Sequence, residues 1–272
     1  MKIQTNTAAN SALGYARVNS QATERSIQKL SSGFRINRAG DDAAGLAIAN
    51  TLRANNRALS QAQKNAAQGN AMLQIVDGAT QTMSSILDRA KELAMQAASD
   101  NSGEDNGTAR TNLDSEYQKL MEEIGRIADS TKYQGISLFQ ATDFDFMVSS
   151  SGTTANDKIT FTSQAVDDFK ADGDLLEKGN ANTAIAAIDT AIEALNTFVG
   201  DLGAAQSRID FASSNVAIQL QNSQAAESSI RDADMAYEMT QFTKNNVLQQ
   251  AAQSMLSQAN QGSQGILQLL RG

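Results

Sequence analysis

The chain has 272 residues, 41% of them apolar but only 5% aromatic, and contains no proline, cysteine, histidine or tryptophan. Without cysteine or histidine there are no disulfides, no thiolate or imidazole metal sites and no Ser-His-Asp base, so no catalytic residue, cofactor or metal is implied. The formal charge of −8 is uneven: residues 1–40 set Lys2, Arg17, Arg25, Lys29, Arg35 and Arg38 against Glu24 alone, residues 239–272 hold Lys244 and Arg271 with no acid, and the body from 41 to 238 is left with −15, which argues against nucleic-acid binding.

At ordinary usage about 14 prolines would stand in a chain this long. Each would remove a helical hydrogen bond and clash with the preceding turn. Their absence, with alanine and aliphatic residues recurring at steps of three and four, predicts long helices in thin bundles rather than one thick globule. The stretch MKIQTNTAANSALG has no apolar h-region, so export by a route other than a cleaved signal is expected. No 18-residue apolar run predicts membrane insertion.

Taken in order, Ala9, Leu13, Ala16, Ser20, Thr23, Ile27, Leu30 and Phe34 form a first heptad seam, poor in large apolar residues. So little buried area hardly offsets the entropy of ordering the chain, and the segment is expected to be largely disordered in a lone monomer. Residues 31–40, SSGFRINRAG, interrupt the pattern as a structured connector that includes Arg35 and Asn37, and Asp41 or Asp42 then caps the next helix. From Ala43 to about Ser99 the rhythm of Leu73, Val76, Thr80, Met83, Leu87, Ala90, Ala94 and Ala97 predicts one rod, ended by the turn at Asp100-Asn101-Ser102-Gly103. Leu113, Tyr117, Leu120, Ile124 and Ile127 predict a helix that pairs antiparallel with it.

Residues 131–180 change character. Tyr133-Gln134-Gly135, the alternating Phe144, Phe146 and Val148, the SSSGTT run at 149–154 and KITFTS around Ile159 and Phe161 predict short hairpins. Asn106-Gly107-Thr108 matches an N-glycosylation pattern, a three-residue match that carries little weight. The strongest periodic run follows in Ile185, Ile188, Ile192, Leu195, Val199, Leu202, Gln206, Ile209, Ser213, Val216 and Leu220, which predicts a long helix. Arg231-Asp232-Ala233-Asp234 marks a break, and Leu248, Ala252, Met255, Ala259, Gly262, Ile266 and Leu269 form a last sparse seam.

The two weak terminal seams are expected to complete each other and to need neighbouring copies of the chain, through heterologous contacts that build an open helical assembly. The expected class is mainly α: long antiparallel helical hairpins in a coiled-coil bundle built from both termini, with a small β-hairpin insert at about 131–180. The expected domains are a terminal helical domain from 1–40 and 235–272, a middle rod from 41–140 and 181–234, and a short β-rich outer insert at 141–180.

Five stretches, LSSGFRINRAGDDAAGLAIAN at 30–50, LDRAKELAMQAASD at 87–100, TKYQGISLF at 131–139, SSIRDADMAYEM at 228–239 and VLQQAAQSMLSQAN at 247–260, resemble bacterial flagellin in the family's order. The resemblance covers about 1–140 and 183–272. It implies a short flagellin with a reduced outer domain, a subunit that polymerises with itself into the extracellular flagellar filament for motility. It further implies an export chaperone, cap and hook-junction proteins as partners, and filament-core packing by Leu13, Ile27, Leu30, Leu248, Met255, Ile266 and Leu269. Arg89, Leu93 and Glu116 match positions that contact a Toll-like receptor in some flagellins. Serines and threonines at 149–154 match a region that is O-glycosylated in some members. A hook-filament junction or cap protein, and a monomeric cell-surface adhesin related to flagellin, are the alternatives.

Overall fold

The computed structural model describes residues 6–100, 104–105, 107–149 and 157–271, with side chains described as far as residue 262. The chain divides into two compact units, Met1–Ala54 with Asn222–Gly272 and Asn55–Gln221. Among the described residues five long helices carry the architecture: α1 (Thr7–Ser32), α2 (Ala43–Ala98), α3 (Thr108–Ser130), α4 (Lys178–Arg231) and α5 (Met235–Arg271). The mainly α class expected from the missing prolines is observed.

Local chemistry sets the helix ends. Asn6 Oδ1 accepts the amide of Ala9 at 3.0 Å and opens α1. Gly33, at φ 76°, closes it in the left-handed conformation that glycine adopts without a Cβ clash. Of the two candidate caps for α2, Asp42 is the one used: its Oδ1 accepts the Gly45 amide at 2.8 Å. Asp234 does the same for α5, accepting the amides of Ala236 and Tyr237.

In the first unit α1 and α5 run antiparallel. Asn6 donates to the Ala259 carbonyl at one end, while Lys29 meets Glu238 towards the other. Residues 7–32, a segment expected to be largely disordered in a lone monomer, form a helix here supported by α5. The seam is nevertheless thin: its buried positions include Ala12, Ser26, Glu238 and Ala252.

In the second unit α2 and α4 are also antiparallel. Asn70 bonds Asp210, Lys91 bonds Asp189 and Lys178 bonds Asp100, so partners on α4 descend as α2 ascends. All eight seam positions expected on α2, from Leu73 to Ala97, are buried. On α4 the expectation is half corrected. Ile188, Leu195, Leu202, Ile209 and Val216 are buried, but the other buried positions on α4 are Ala181, Ala184, Ala191, Phe198 and Ala205. The bulkier Ile185 and Ile192 lie half-buried at the edge of the core, since small side chains on the contact line let helices approach closely.

Two hairpins complete this unit. β1 (Lys132–Tyr133) pairs with β2 (Ile136–Ser137) across Gln134 and Gly135, both at positive φ, which is the geometry of a tight hairpin turn. β3 (Asp143–Met147) pairs with β4 (Lys158–Thr162), placing Phe144 opposite Phe161 and Phe146 opposite Ile159 on one face. Asp145 receives bonds from Lys158 and Thr160 on the other face. Phe139, Phe161 and Phe169 gather round Phe198 of α4 with ring centroids 5.5–6.0 Å from it.

Candidate functional site

The candidate site is a set of surfaces rather than a cleft. Its best-defined part is the connector between α1 and α2. Asp41 Oδ2 accepts the amides of Asn37 at 3.1 Å and Arg38 at 3.0 Å, and these backbone bonds, that from Arg38 first, hold its carboxyl below the usual range. Asn37 donates to Ser32 Oγ and to the Phe34 carbonyl, closing the loop from inside. Arg35 reaches across the sequence, its backbone amide to the Arg231 carbonyl and its guanidinium to the Ile230 carbonyl, each at 2.7 Å. With Asp42 capping α2, all four connector residues expected from sequence take part in one bonded structure.

Further contacts in it are not evident from sequence. Phe34 bridges to Asp232 in antiparallel fashion, and the Arg231 guanidinium lies 4.2 Å from the centre of the Phe34 ring. Ala233 donates to the Gly33 carbonyl. The only sequence signal for this splice is that both segments interrupt a heptad.

The residues expected to pack a filament core divide clearly. Leu13, Ile27, Leu248 and Met255 are exposed on α1 and α5, and Leu30 is half-buried. The side chains of Ile266 and Leu269 lie outside the described residues, as do most of the 149–154 run and Asn106. Tyr15, Val18 and Val247 extend the exposed apolar surface, with Tyr15 at 69% and Met255 at 66% exposure. Those three stand off the heptad seam and escape a search for periodicity.

Of the three positions matched to receptor contact, two meet. Arg89 Nη2 lies 2.9 Å from Glu116 Oε1 and its Nη1 lies 3.0 Å from Glu92 Oε2. Both glutamates hold the Arg89 guanidinium pKa up, Glu116 first. Leu93 is not on that surface; at 1% exposure it belongs to the core of the second unit.

Comparison with known proteins agrees with this geometry. Residues 3–143 match the family model described as the bacterial flagellin N-terminal helical region, and residues 185–270 match its C-terminal counterpart. The chain is 42% identical to a flagellin of Halalkalibacterium halodurans, over 93% of this chain and 94% of that one. It is 36% identical to a flagellin of Bacillus subtilis over the whole of both chains. It is also 37% identical to a flagellar filament 30.7 kDa core protein of Treponema maltophilum, over 96% of each. Among solved structures it resembles Bacillus cereus flagellin, with a TM-score of 0.50 and 30% identity, covering 60% of this chain and 94% of that one. With both helical regions matched in order, the chain belongs to the bacterial flagellin family.

Proposed function

We infer that the chain is the structural subunit of a bacterial flagellar filament, working outside the cell by mechanical support rather than catalysis. The observation that carries this reading is the helix pair of the first unit, whose small inward seam leaves Leu13, Tyr15, Leu248 and Met255 exposed. A protein that exposes apolar side chains along both terminal helices needs partners to cover them, and further copies of the same chain supply them. The terminal helices then form the inner domain, residues 41–140 with 181–234 the middle rod and residues 141–180 the outer insert.

An export chaperone, cap and hook-junction proteins are proposed as assembly partners. A receptor contact is proposed only around the Arg89–Glu116 pair, because Leu93 is covered.

Removal of residues 1–30 tests the assignment. The shortened chain is expected to stay helical and to sediment as a monomer under conditions where the full chain forms filaments visible by electron microscopy. Filaments formed equally well without those residues would overturn it.

A further inference from the structure

No glycine or proline stands between Gly203 and Gly262, so the local sequence lacks the strongest reasons for a helix to stop. Yet α4 ends at Arg231 and α5 begins at Met235. In an unbroken helix the carbonyls of Ile230 and Arg231 would accept the amides four residues on, those of Asp234 and Met235. Here both are taken by Arg35: its guanidinium donates to the Ile230 carbonyl and its backbone amide to the Arg231 carbonyl, each at 2.7 Å. The Ala233 amide, which a helix would give to Ser229, donates instead to the Gly33 carbonyl at 2.9 Å. Asp234 favours a start for α5 by accepting the amides of Ala236 and Tyr237, but it offers nothing to the carbonyls left at the end of α4. A residue 195 positions earlier in the chain closes that end.

The contacts that hold this segment in place are modest. Phe34 is half-buried and Arg35 is exposed. The Arg231 guanidinium lies 4.2 Å from the Phe34 ring centre, and its Nε is buried with no hydrogen-bond partner among the described residues. An unmet buried donor weakens the docked arrangement, and a few solvent-accessible bonds open at low free energy. On release the carbonyls of Ile230 and Arg231 need new donors, and the amides of Asp234 and Met235 supply them if the helix runs on.

We propose that residues 33–35 are a latch on a reversible joint in the first unit: docked, they hold α4 and α5 apart as two helices, and released, they let residues 228–238 form one continuous helix. The joint sets where α5 starts. Glu238, whose amide bonds the Asp234 carbonyl in the first turn of α5, pairs with Lys29 of α1. Winding 232–234 into the helix re-aims Glu238, so latching and the pairing of α1 with α5 rise and fall together. The latch belongs to the single chain and can fail without the filament reading failing.

Asp234-Met235 is the one Asp-Met pair in the sequence and Glu238-Met239 the one Glu-Met pair. Carbonyl-labelled aspartate or glutamate combined with amide-labelled methionine therefore isolates each of these two amides by magnetic resonance in the full chain. Arg35→Pro removes both donors to α4, and the bridged backbone of Phe34 suits the residue before a proline. In the unchanged monomer the Met235 amide is expected to exchange fast with solvent. In Arg35→Pro it is expected to exchange at least about tenfold more slowly, with Met239 protected in both. A Met235 amide equally fast in both chains, or slow already in the unchanged one, would overturn the latch. So would loss of protection at Met239, because both helices must survive release. Met235→Pro gives a second measurement, since proline suits the first position of a helix and cannot continue one. It is expected to leave the urea midpoint unaltered in the otherwise unchanged chain and to lower it in Arg35→Pro; equal effects in the two backgrounds would count against the proposal.

Discussion

Lys29 Nζ lies 2.9 Å from Glu238 Oε1, joining α1 to α5 with an ion pair whose carboxylate side chain is 9% exposed and whose lysine is 29% exposed. The seam around it offers alanine and serine rather than leucine, so shape alone weakly defines how the helices slide past one another. A charged pair supplies a register.

Replacing Lys29 with Met should therefore be worse than replacing Glu238 with Gln. The first leaves a carboxylate buried without its cation; the second leaves an ammonium that can turn to water. Loss of about 2 kcal/mol is expected for Lys29→Met, below the range for a fully buried pair, and about half that for Glu238→Gln. Denaturant unfolding followed by helical signal checks the order, and the charge swap Lys29→Glu with Glu238→Lys should recover part of the loss.

Gly69 and Gly78 lie on the same helix and should respond oppositely to alanine. A Cβ at Gly69 would come 2.7 Å from the Phe146 ring, while one at Gly78 would meet nothing within 4 Å. Gly78→Ala is expected to gain up to about 1 kcal/mol from helix propensity. Gly69→Ala is expected to lose about 1–2 kcal/mol as the β3–β4 hairpin is pushed from α2. Equal midpoints in urea for the two variants would contradict the close packing of that hairpin.

Much of this is legible in the sequence, for reasons visible in particular residues. The α2 seam from Leu73 to Ala97 reads correctly because one apolar line faces the core throughout. Leu93, matched by resemblance, and Ala94 on the heptad line are both buried: the helix is covered on more than one side there, which a single heptad cannot represent. Phe34 and Arg231 form their contact across 197 positions of sequence, and no local pattern predicts it.

Tyr117 gives the unit an alkaline limit. Its hydroxyl donates to the Ala171 carbonyl at 2.6 Å, and burial, followed by the charges of Asp172 and Asp114, pushes its pKa up to about 12. Because the folded value is raised, the contribution is complete below the unfolded value of about 10 and is lost as pH rises through about 12. About 2 kcal/mol should disappear between those limits. Tyr117→Phe should flatten that part of the pH profile, measured by urea unfolding at intervals from about pH 9 to 12.

The terminal helices should gain their protection from company. The α1–α5 seam buries small side chains and leaves Leu13, Ile27, Leu248 and Met255 exposed, so local opening in a lone chain removes little apolar contact and costs little free energy. In an assembly those side chains are covered, and opening requires breaking contacts with neighbouring copies as well. Amides of residues 7–30 and 245–262 are therefore expected to exchange with solvent fast in dilute monomer and at least about tenfold more slowly in filaments, whereas the α2 core around Val76 and Met83 should be protected in both. Equal exchange at the ends in the two states would show that the pair is already self-sufficient and that assembly adds nothing to its stability.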